Sequence, residues 1–201
     1  MKNLCVFCGS SPGAKPVYLE TARELGNCLA ERGIDLVYGG ASIGVMGAVA
    51  DAVLEAGGRA FGVIPQHLTE LEISHKNLTD LIVVSSMHER KAKMAEMSDG
   101  FLALPGGIGT LEELIEVCTW QQLQLHTKAT GLLNVDNFYD NLLAFLNHAT
   151  DQQFLRPQHN SNILHDTQVV NLVDRMIYFN ENPAEFLIEK LESTIVREKL
   201  L

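Results

Sequence analysis

A chain of 201 residues has the size of one compact domain, and 46% hydrophobic with 20% charged residues is the composition of a folded globular protein. The formal net charge of −10 repels a phosphate polymer, and lysine and arginine form no stripe, so nucleic-acid binding is not expected. A small anion can still bind where positive charge is concentrated in one pocket.

The sequence gives no sign of export or membrane insertion. No apolar stretch reaches the roughly 18 to 20 residues that a membrane span needs, and no basic, cleavable leader precedes the first apolar run. Cys5 and Cys8 spell C-x-x-C, but they lie three apart in a predicted strand and so point to opposite faces. Buried thiols are favoured over a redox or metal pair, and a cytoplasmic protein is expected.

Short apolar runs alternate with longer amphipathic stretches. In chain order, the pattern predicts strand 4–8, helix 17–32, strand 34–38, helix 45–56, strand 60–64, an irregular loop through residue 75, strand 81–84, helix 87–97, strand 101–104, helix 110–125, strand 129–133, helix 138–149, a short strand near 162–164, and helices 167–179 and 183–201.

This alternation predicts a doubly wound α/β fold, with a mainly parallel, Rossmann-like sheet and helices on both faces. We expect one domain over residues 1–201. Ligands in such sheets bind at the carboxyl ends of the strands, where the strand order reverses. The turns that follow the strands are therefore the places to look for chemistry.

Two glycine-containing turns come early in the chain. The turn at 9–13 (GSSPG) lacks the G-x-G-x-x-G spacing, and its serines can contact a ligand or simply cap a helix. The turn at 39–47 (GGASIGVMG) has four glycines, which allow backbone N–H groups to approach a ligand at a helix N-terminus. Tight turning and close helix–sheet packing are the alternative. We favour ligand approach, with Gly39 and Gly40 as contacts.

The turn at 104–113 (LPGGIGTLEE) carries the strongest signal. Its glycines end a strand and Thr110 opens a helix, which makes a backbone nest suited to a phosphate. It lacks the lysine of a Walker A loop. The alternative is a capping box, in which Glu113 hydrogen-bonds the backbone of Thr110.

The turn at 85–93 (SSMHERKAK) supplies positive charge. Ser86 and Glu89 can form a capping box, but Arg90, Lys91 and Lys93 lie where cations oppose the helix dipole. Each exposed cation there costs a few tenths to about 1 kcal/mol. In a parallel sheet this turn is expected beside the 105–110 nest. An arginine, a carboxylate and a phosphate cradle would then share one nucleotide-sized cleft.

On these residues the chain resembles the LOG (Lonely Guy) family of cytokinin-activating phosphoribohydrolases. The family's P-G-G-x-G-T-x-x-E motif is complete at 105–113, and its Met-His-x-Arg-Lys segment is present at 87–91. The glycine turn at 39–47 stands in the expected place. The motifs fall within roughly residues 4–135. One departure is Ala41, where many members carry a third glycine, so close approach there is hindered but not excluded.

The resemblance implies hydrolysis of the N-glycosidic bond of adenosine 5′-monophosphate or its N6-substituted forms, giving free base and ribose 5-phosphate. Arg90 and Glu113 match the catalytic pair. The expected substrate-binding residues are Glu72, Lys91, Gly106, Gly107, Ile108, Gly109, Thr110, Thr119, Gly39 and Gly40. Glu72 can also be a solvated loop carboxylate, and Thr119 a helix-packing residue. The resemblance also implies a homodimer with sites near the subunit interface, and no cofactor; no histidine spacing suggests a metal site.

Cleavage of a ribosyl C–N bond builds positive charge on the sugar. Glu113 can stabilise that charge, orient water or attack directly, and the sequence does not choose between them. Arg90 is a poor proton donor, so an orienting or electrostatic role is expected. The phosphate lies away from the broken bond and supplies binding energy. His88 is a candidate general acid, although a plain helix-start role is favoured.

Two other functions compete with the hydrolase. A nucleotide-binding or carrier protein is compatible with the fold, but it would not need a carboxylate beside the sugar. A pyridoxal-phosphate enzyme, suggested by the label "lysine decarboxylase" that similar sequences sometimes carry, needs a Schiff-base lysine and a cofactor pocket. The chain is short for that chemistry. The hydrolase is the hypothesis carried forward.

Overall fold

The structure is a computed structural model that describes residues 1–69 and 74–182. The predicted helix 183–201 and the predicted contact Glu72 lie outside the described residues. Among the residues described, no helix is both long and apolar enough to span a bilayer.

The described chain alternates strands with helices much as the pattern predicts. The strands are β1 (Asn3–Phe7), β2 (Asp35–Tyr38), β3 (Ala60–Pro65), β4 (Asp80–Val84), β5 (Gly100–Ala103), β6 (Ala129–Leu133) and β7 (Ile163–Asp166). The helices are α1 (Val17–Glu31), α2 (Gly44–Glu55), α3 (Met87–Met97), α4 (Ile108–Gln122), α5 (Asp140–Asp151), α6 (Pro157–Ser161) and α7 (Val169–Glu181). Short 3₁₀ helices occupy Gln66–Leu68 and Val135–Asn137.

Helix α6 is the element that the pattern missed. It has five residues and starts with Pro157 at its first position, where the fixed φ of proline suits a helix start. Five residues make little more than one turn, so no amphipathic period can develop.

The seven strands form one parallel sheet in the order β4-β3-β2-β1-β5-β6-β7. This confirms the doubly wound α/β prediction. The order reverses between β1 and β5, which pair in register from Leu4 opposite Gly100 to Phe7 opposite Ala103. The crevice at the carboxyl ends of these two central strands is where such a sheet binds ligands.

Apolar side chains cover both faces of the sheet. Helices α1, α2 and α7 pack on one face around Leu4, Val6 and Leu102. Helices α3, α4 and α5 pack on the other, around Phe101 and Ala103. The thiols of Cys5 and Cys8 are free and buried in the cores of opposite faces, which confirms the interpretation of the C-x-x-C spacing.

Candidate active site

The turns that follow β1 and β5 meet at the reversal of strand order. The amide of Gly9 donates to the carbonyl of Pro105 at 3.2 Å. The hydroxyl of Tyr139 donates to the carbonyl of Leu104 at 2.7 Å and fixes the end of β5 from the other side. These backbone contacts hold the 9–13 and 104–110 turns as two walls of one crevice.

The crevice contains two adjoining cavities. One, of about 240 Å³, is lined by Cys8, Gly9, Ser10, Met46, Met87, Arg90, Gly107, Gly109, Thr110, Glu112 and Glu113. The other, of about 330 Å³, is lined by Gly9, Ser10, Ser11, Gly13, Tyr18, Val45, Pro105, Gly106, Gly107 and Phe138. The first holds both predicted catalytic residues, and we treat it as the candidate active-site cavity.

The N-terminus of α4 opens into this cavity. The helix begins at Ile108 with Gly107 as its N-cap, and its first backbone bond runs from Leu111 to Gly107. The preceding amides have no helical acceptor and are available to an anion. A Cβ at Gly107 or Gly109 would meet nothing within 4 Å, so both glycines face open space. The predicted nest is therefore accessible to an anion, and we call it the cradle.

Glu113 is not part of a capping box. Helix α4 has no side-chain cap, and Thr110 lies inside its first turn. The Thr110 hydroxyl packs against Gly106, where a Cβ would come within 2.1 Å of Oγ1. Glu113 is 8% exposed, and its Oε1 has no hydrogen-bond partner among the described residues. Burial raises the pKa of Glu113 to about 6, against the opposing effect of Arg90.

The guanidinium of Arg90 lies beside that carboxylate. Arg90 is 6% exposed; its Nε donates to the Val63 carbonyl at 3.0 Å, and its Nη1 is 3.8 Å from Glu113 Oε1. A Cβ at Gly39 would stand 2.1 Å from Nη2. Because Gly39 has no side chain, the guanidinium can lie directly on the backbone at the start of the 39–47 turn. We call this part, residues 39–42, the 39–42 turn.

Arg90 reaches the cavity by a route that the sequence did not suggest. Met87 and Arg90 of the 85–93 turn line one cavity with Gly107, as expected, although β3, β2 and β1 separate β4 from β5. Helix α3 crosses the face of the sheet over β3, β2 and β1. Arg90 lies in the first turn of this helix, and its side chain extends over β3, where it donates to the Val63 carbonyl, towards Glu113.

The start of α3 is capped largely as predicted. Ser86 Oγ accepts from the Glu89 amide at 3.1 Å, while the Glu89 carboxylate accepts from the amide of Ser85 at 2.7 Å. Hydrogen bonds from the Ser85 hydroxyl and amide lower the pKa of Glu89. His88 is exposed and does not line the cavity.

The glycine turn before α2 is packed against the turn that follows β1. The amides of Val45 and Met46, at the start of α2, donate to the carbonyls of Ser11 and Gly9. They are therefore occupied by the neighbouring turn and are not free for an anion. Gly40 has a φ of +82°, a conformation that glycine adopts easily. Close packing of two turns, the alternative weighed above, describes the start of α2.

Two further predicted contacts lie away from the cavity wall. The ammonium of Lys91 binds Glu112 at 2.5 Å and Glu116 at 3.0 Å, which ties α3 to α4. Burial works against its charge, but these carboxylates prevail and raise the pKa of Lys91. The hydroxyl of Thr119 donates to the Ile115 carbonyl at 2.7 Å, on the outer face of α4.

That outer face carries a shallow groove of about 630 Å³, lined by Ile108, Leu111, Glu112, Ile115, Glu116, Thr119 and Trp120. Ile108 is 87% exposed and Ile115 41%, which is unusual for such side chains. We call this surface the α4 groove. It begins at the cradle and runs along the helix.

Several cavity residues were not predicted. Ser10 belongs to a turn that looked weak in sequence, and Met46 and Met87 resemble ordinary core methionines. The position of Ser10 at the end of β1 was the available signal, but its value depends on knowing where strand order reverses. In the part of the chain that the structure describes, no cluster of three or more histidine, cysteine or acidic residues could hold a metal ion.

Comparison with known proteins agrees with the sequence motifs. A family profile described as "Possible lysine decarboxylase" matches residues 46–176. Cytokinin riboside 5′-monophosphate phosphoribohydrolase LOG7 of Arabidopsis thaliana is 54% identical over 156 residues, covering 78% of this chain and 72% of the relative. LOG1 of the same plant is 48% identical over 198 residues, covering 98% and 86%.

Solved structures with the same fold are more distant in sequence. A molybdenum cofactor binding protein from Rippkaea orientalis superimposes with a TM-score of 0.68 at 23% identity, over 89% of this chain and 98% of that one. The molybdenum cofactor carrier protein of Chlamydomonas reinhardtii gives 0.66 at 21% identity, over 88% and 98%. These likenesses concern the fold alone. With identities near 50% to named enzymes across most of its length, the chain belongs to the LOG family of cytokinin riboside 5′-monophosphate phosphoribohydrolases.

Proposed function

We propose that this protein hydrolyses the N-glycosidic bond of adenosine 5′-monophosphate and its N6-substituted, cytokinin-type forms. The observation that carries the proposal is the buried Glu113 carboxylate, whose Oε1 has no hydrogen-bond partner in the described chain and lies in the wall of a nucleotide-sized cavity. An unsatisfied buried oxygen is costly, and functional sites are where such a cost is tolerated. A sugar or a water molecule would satisfy it.

The substrate's ends are assigned by charge. The phosphate occupies the N-terminus of α4, where Gly107, Gly109 and Thr110 border the cavity. Glu113 lies one helical turn further along α4, which places its carboxylate at the ribose when the phosphate is in the cradle. Gly106 and Ile108 complete the backbone of the cradle.

The reaction breaks the bond between C1′ and the purine nitrogen. Water supplies a hydroxyl group to C1′ and a proton to the departing base, so the products are free base and ribose 5-phosphate. The Glu113 carboxylate orients that water and stabilises the positive charge on the sugar. Its pKa of about 6 is close to neutral, as suits a group that accepts a proton from water. Arg90 stays charged and keeps the carboxylate in place.

Decarboxylation is disfavoured by the surroundings of the motif lysine. A Schiff-base lysine acts as a neutral amine, which requires a lowered pKa. Lys91 instead binds two carboxylates and its pKa is raised. The description carried by the matching family profile is therefore a poor guide to this site.

We further propose a homodimer that buries the α4 groove, because exposed isoleucines beside a charged rim are typical of a protein interface. Ile108 would then lie where the groove meets the cradle, and Thr119 about three helical turns further along α4, both near the partner subunit. A cytoplasmic location is proposed because the four cysteines are free thiols, as in reducing compartments.

The test is base release from adenosine 5′-monophosphate and N6-isopentenyladenosine 5′-monophosphate, followed by chromatography, with the matching nucleosides alongside. We expect release from the monophosphates only, and a loss of roughly 10²-fold or more in Glu113→Gln. The wild-type rate should fall below about pH 6, as Glu113 becomes protonated. Nucleotide binding without release from any substrate would contradict the proposal and favour a carrier.

A further inference from the structure

The guanidinium of Arg90 has few fixed contacts among the described residues. There it donates one hydrogen bond to an oxygen, from Nε to the Val63 carbonyl, and Nη1 stands 3.9 Å from the Met87 sulfur. Nη2 fills the space beside Gly39, where a Cβ would be 2.1 Å away. Where the 39–42 turn lies therefore decides how closely the guanidinium can approach Glu113.

The turn is held in place by residues that do not line the cavity. The amide of His75 donates to the Gly40 carbonyl at 3.0 Å, and this hydrogen bond belongs to an isolated antiparallel bridge between Ala41 and Ser74. The buried hydroxyl of Tyr38 donates to the Ala41 carbonyl at 3.2 Å. The backbone at 74–75 thus supplies one of these two contacts.

The side chain of His75 anchors this pair of residues to α2. The residue is 6% exposed, and its Nε2 is 2.9 Å from Oδ1 of Asp51. Its Nδ1 accepts from the amide of Asn77 at 3.2 Å, so in the neutral ring Nε2 carries the hydrogen and donates to Asp51. Both ring nitrogens are thereby engaged, and the imidazole ties the backbone that contacts Gly40 to α2.

We propose that His75, held by Asp51, is a positioning residue that sets the distance between Arg90 and Glu113 through the 39–42 turn. It does not contact the substrate. The inference rests on the proposed hydrolysis, since that reaction is what the Arg90–Glu113 geometry serves. A small displacement of a catalytic group lowers the rate strongly, because the barrier depends on alignment.

The pH profile separates positioning from simple stabilisation. Burial raises the pKa of Glu113, as do Glu112 and Glu116 on α4, whereas Arg90 and Lys91 on α3 lower it. Cys8 on the β1 side also faces this pair. If Arg90 moves away, Glu113 loses its main neighbouring cation, and the acidic limb of the rate profile shifts to higher pH. General loosening of the fold would not move that limb.

The experiment compares Asp51→Ala, Asp51→Asn and His75→Ala with Val53→Ala, a core truncation on the same helix that touches none of these contacts. Asparagine keeps an oxygen that accepts from His75. We expect Asp51→Ala and His75→Ala to lower kcat by about tenfold with little change in KM and to raise the pH of the acidic limb. Asp51→Asn should have the kcat of wild type and the acidic limb at the wild-type pH. Val53→Ala should change only stability.

Asp51 is half exposed, so its variants test the proposal even if His75→Ala does not fold. If Asp51→Ala keeps the kcat and acidic limb of Val53→Ala, the proposal is overturned. Crystal structures of wild type and Asp51→Ala add a readout that needs no turnover, namely the distance from Arg90 to Glu113. An unchanged distance overturns the positioning role, whereas failure of wild type to release base bears only on the proposed hydrolysis.

Discussion

At the scale of single residues, the burial of Glu113 that suits its proposed catalytic role also lowers the stability of the fold. Its folded-state pKa of about 6 exceeds the ordinary value of 4.5. Below pH 4.5 the carboxyl is protonated in both states and carries no penalty. As pH rises towards 6, the unfolded chain ionises first and is favoured. Above pH 6 the penalty is complete, at about 2 kcal/mol for a shift of this size.

Glu113→Gln should therefore be inactive yet more stable than wild type at pH 8, by up to about 2 kcal/mol, with the gain disappearing near pH 4.5. Urea denaturation at pH 8 and at pH 4.5 measures this difference in the free energy of unfolding. Glu24→Gln, on the exposed face of α1, removes an equal charge without burial and should show no such pH dependence. Equal stability of Glu113→Gln and wild type at pH 8 would contradict the assignment of the penalty to this carboxylate.

Gly109 faces open space in the proposed phosphate cradle. Because a Cβ there meets nothing within 4 Å, Gly109→Ala should fold normally and even gain a few tenths of a kcal/mol. The methyl group would occupy space in the phosphate cradle, so we expect KM for the monophosphate to rise by about tenfold. Steady-state kinetics and thermal melting together test this.

Gly26→Ala is the contrasting variant, since its Cβ would be 2.7 Å from that of Ala52, where α1 packs on α2. It should lose stability while the KM of the folded fraction stays unchanged. A Gly109→Ala variant that loses stability but binds substrate normally would mean that this glycine serves packing.

At the scale of elements, ion pairs between α3 and α4 fix the relative position of the two helices that carry Arg90 and Glu113, the proposed catalytic pair. Lys91 is the connection: its side chain is 13% exposed and lies between Glu112 and Glu116. These carboxylates are four residues apart on one helix and repel each other without the lysine.

Lys91→Met should therefore lower the free energy of unfolding by about 1 to 2 kcal/mol, and adding Glu116→Gln should recover part of the loss. Lys93→Met, which breaks the exposed pair with Glu96, should have almost no effect. Chemical denaturation of wild type and of these three variants measures the changes in the free energy of unfolding. Unchanged stability together with a raised KM would instead support the substrate contact expected for Lys91 from the sequence.

The same scale explains what the sequence could and could not predict. Most strands and helices were predictable because each has an apolar run or period, and the open N-terminus of α4 was predictable because glycines fall directly before the helix. Strand order has no local signal, so the path of α3 from β4 across the sheet was missed. The anchoring role of His75 was missed for the same reason, since Asp51 lies 24 residues away in the chain.

At the scale of the whole molecule, the α4 groove adjoins the cradle, so assembly and catalysis are expected to depend on one helix. Ile115→Asp places a charge in the groove and should convert the proposed dimer to monomer, as measured by analytical ultracentrifugation. Phe154→Asp, at an exposed apolar residue elsewhere, should leave the sedimentation unchanged. Wild-type protein that sediments as a monomer would contradict the dimer.

The pairing of β1 with β5 has a consequence for biosynthesis. Leu4 pairs with Gly100, so during synthesis the inner edge of β1 waits for about 96 more residues. At a synthesis rate of about 5–20 residues per second, that wait lasts roughly 5–20 seconds. Strands β2 to β4 can assemble on the other edge meanwhile. The nascent chain thus carries an unpaired apolar strand edge, open to aggregation, until the segment that completes the catalytic crevice also completes the sheet.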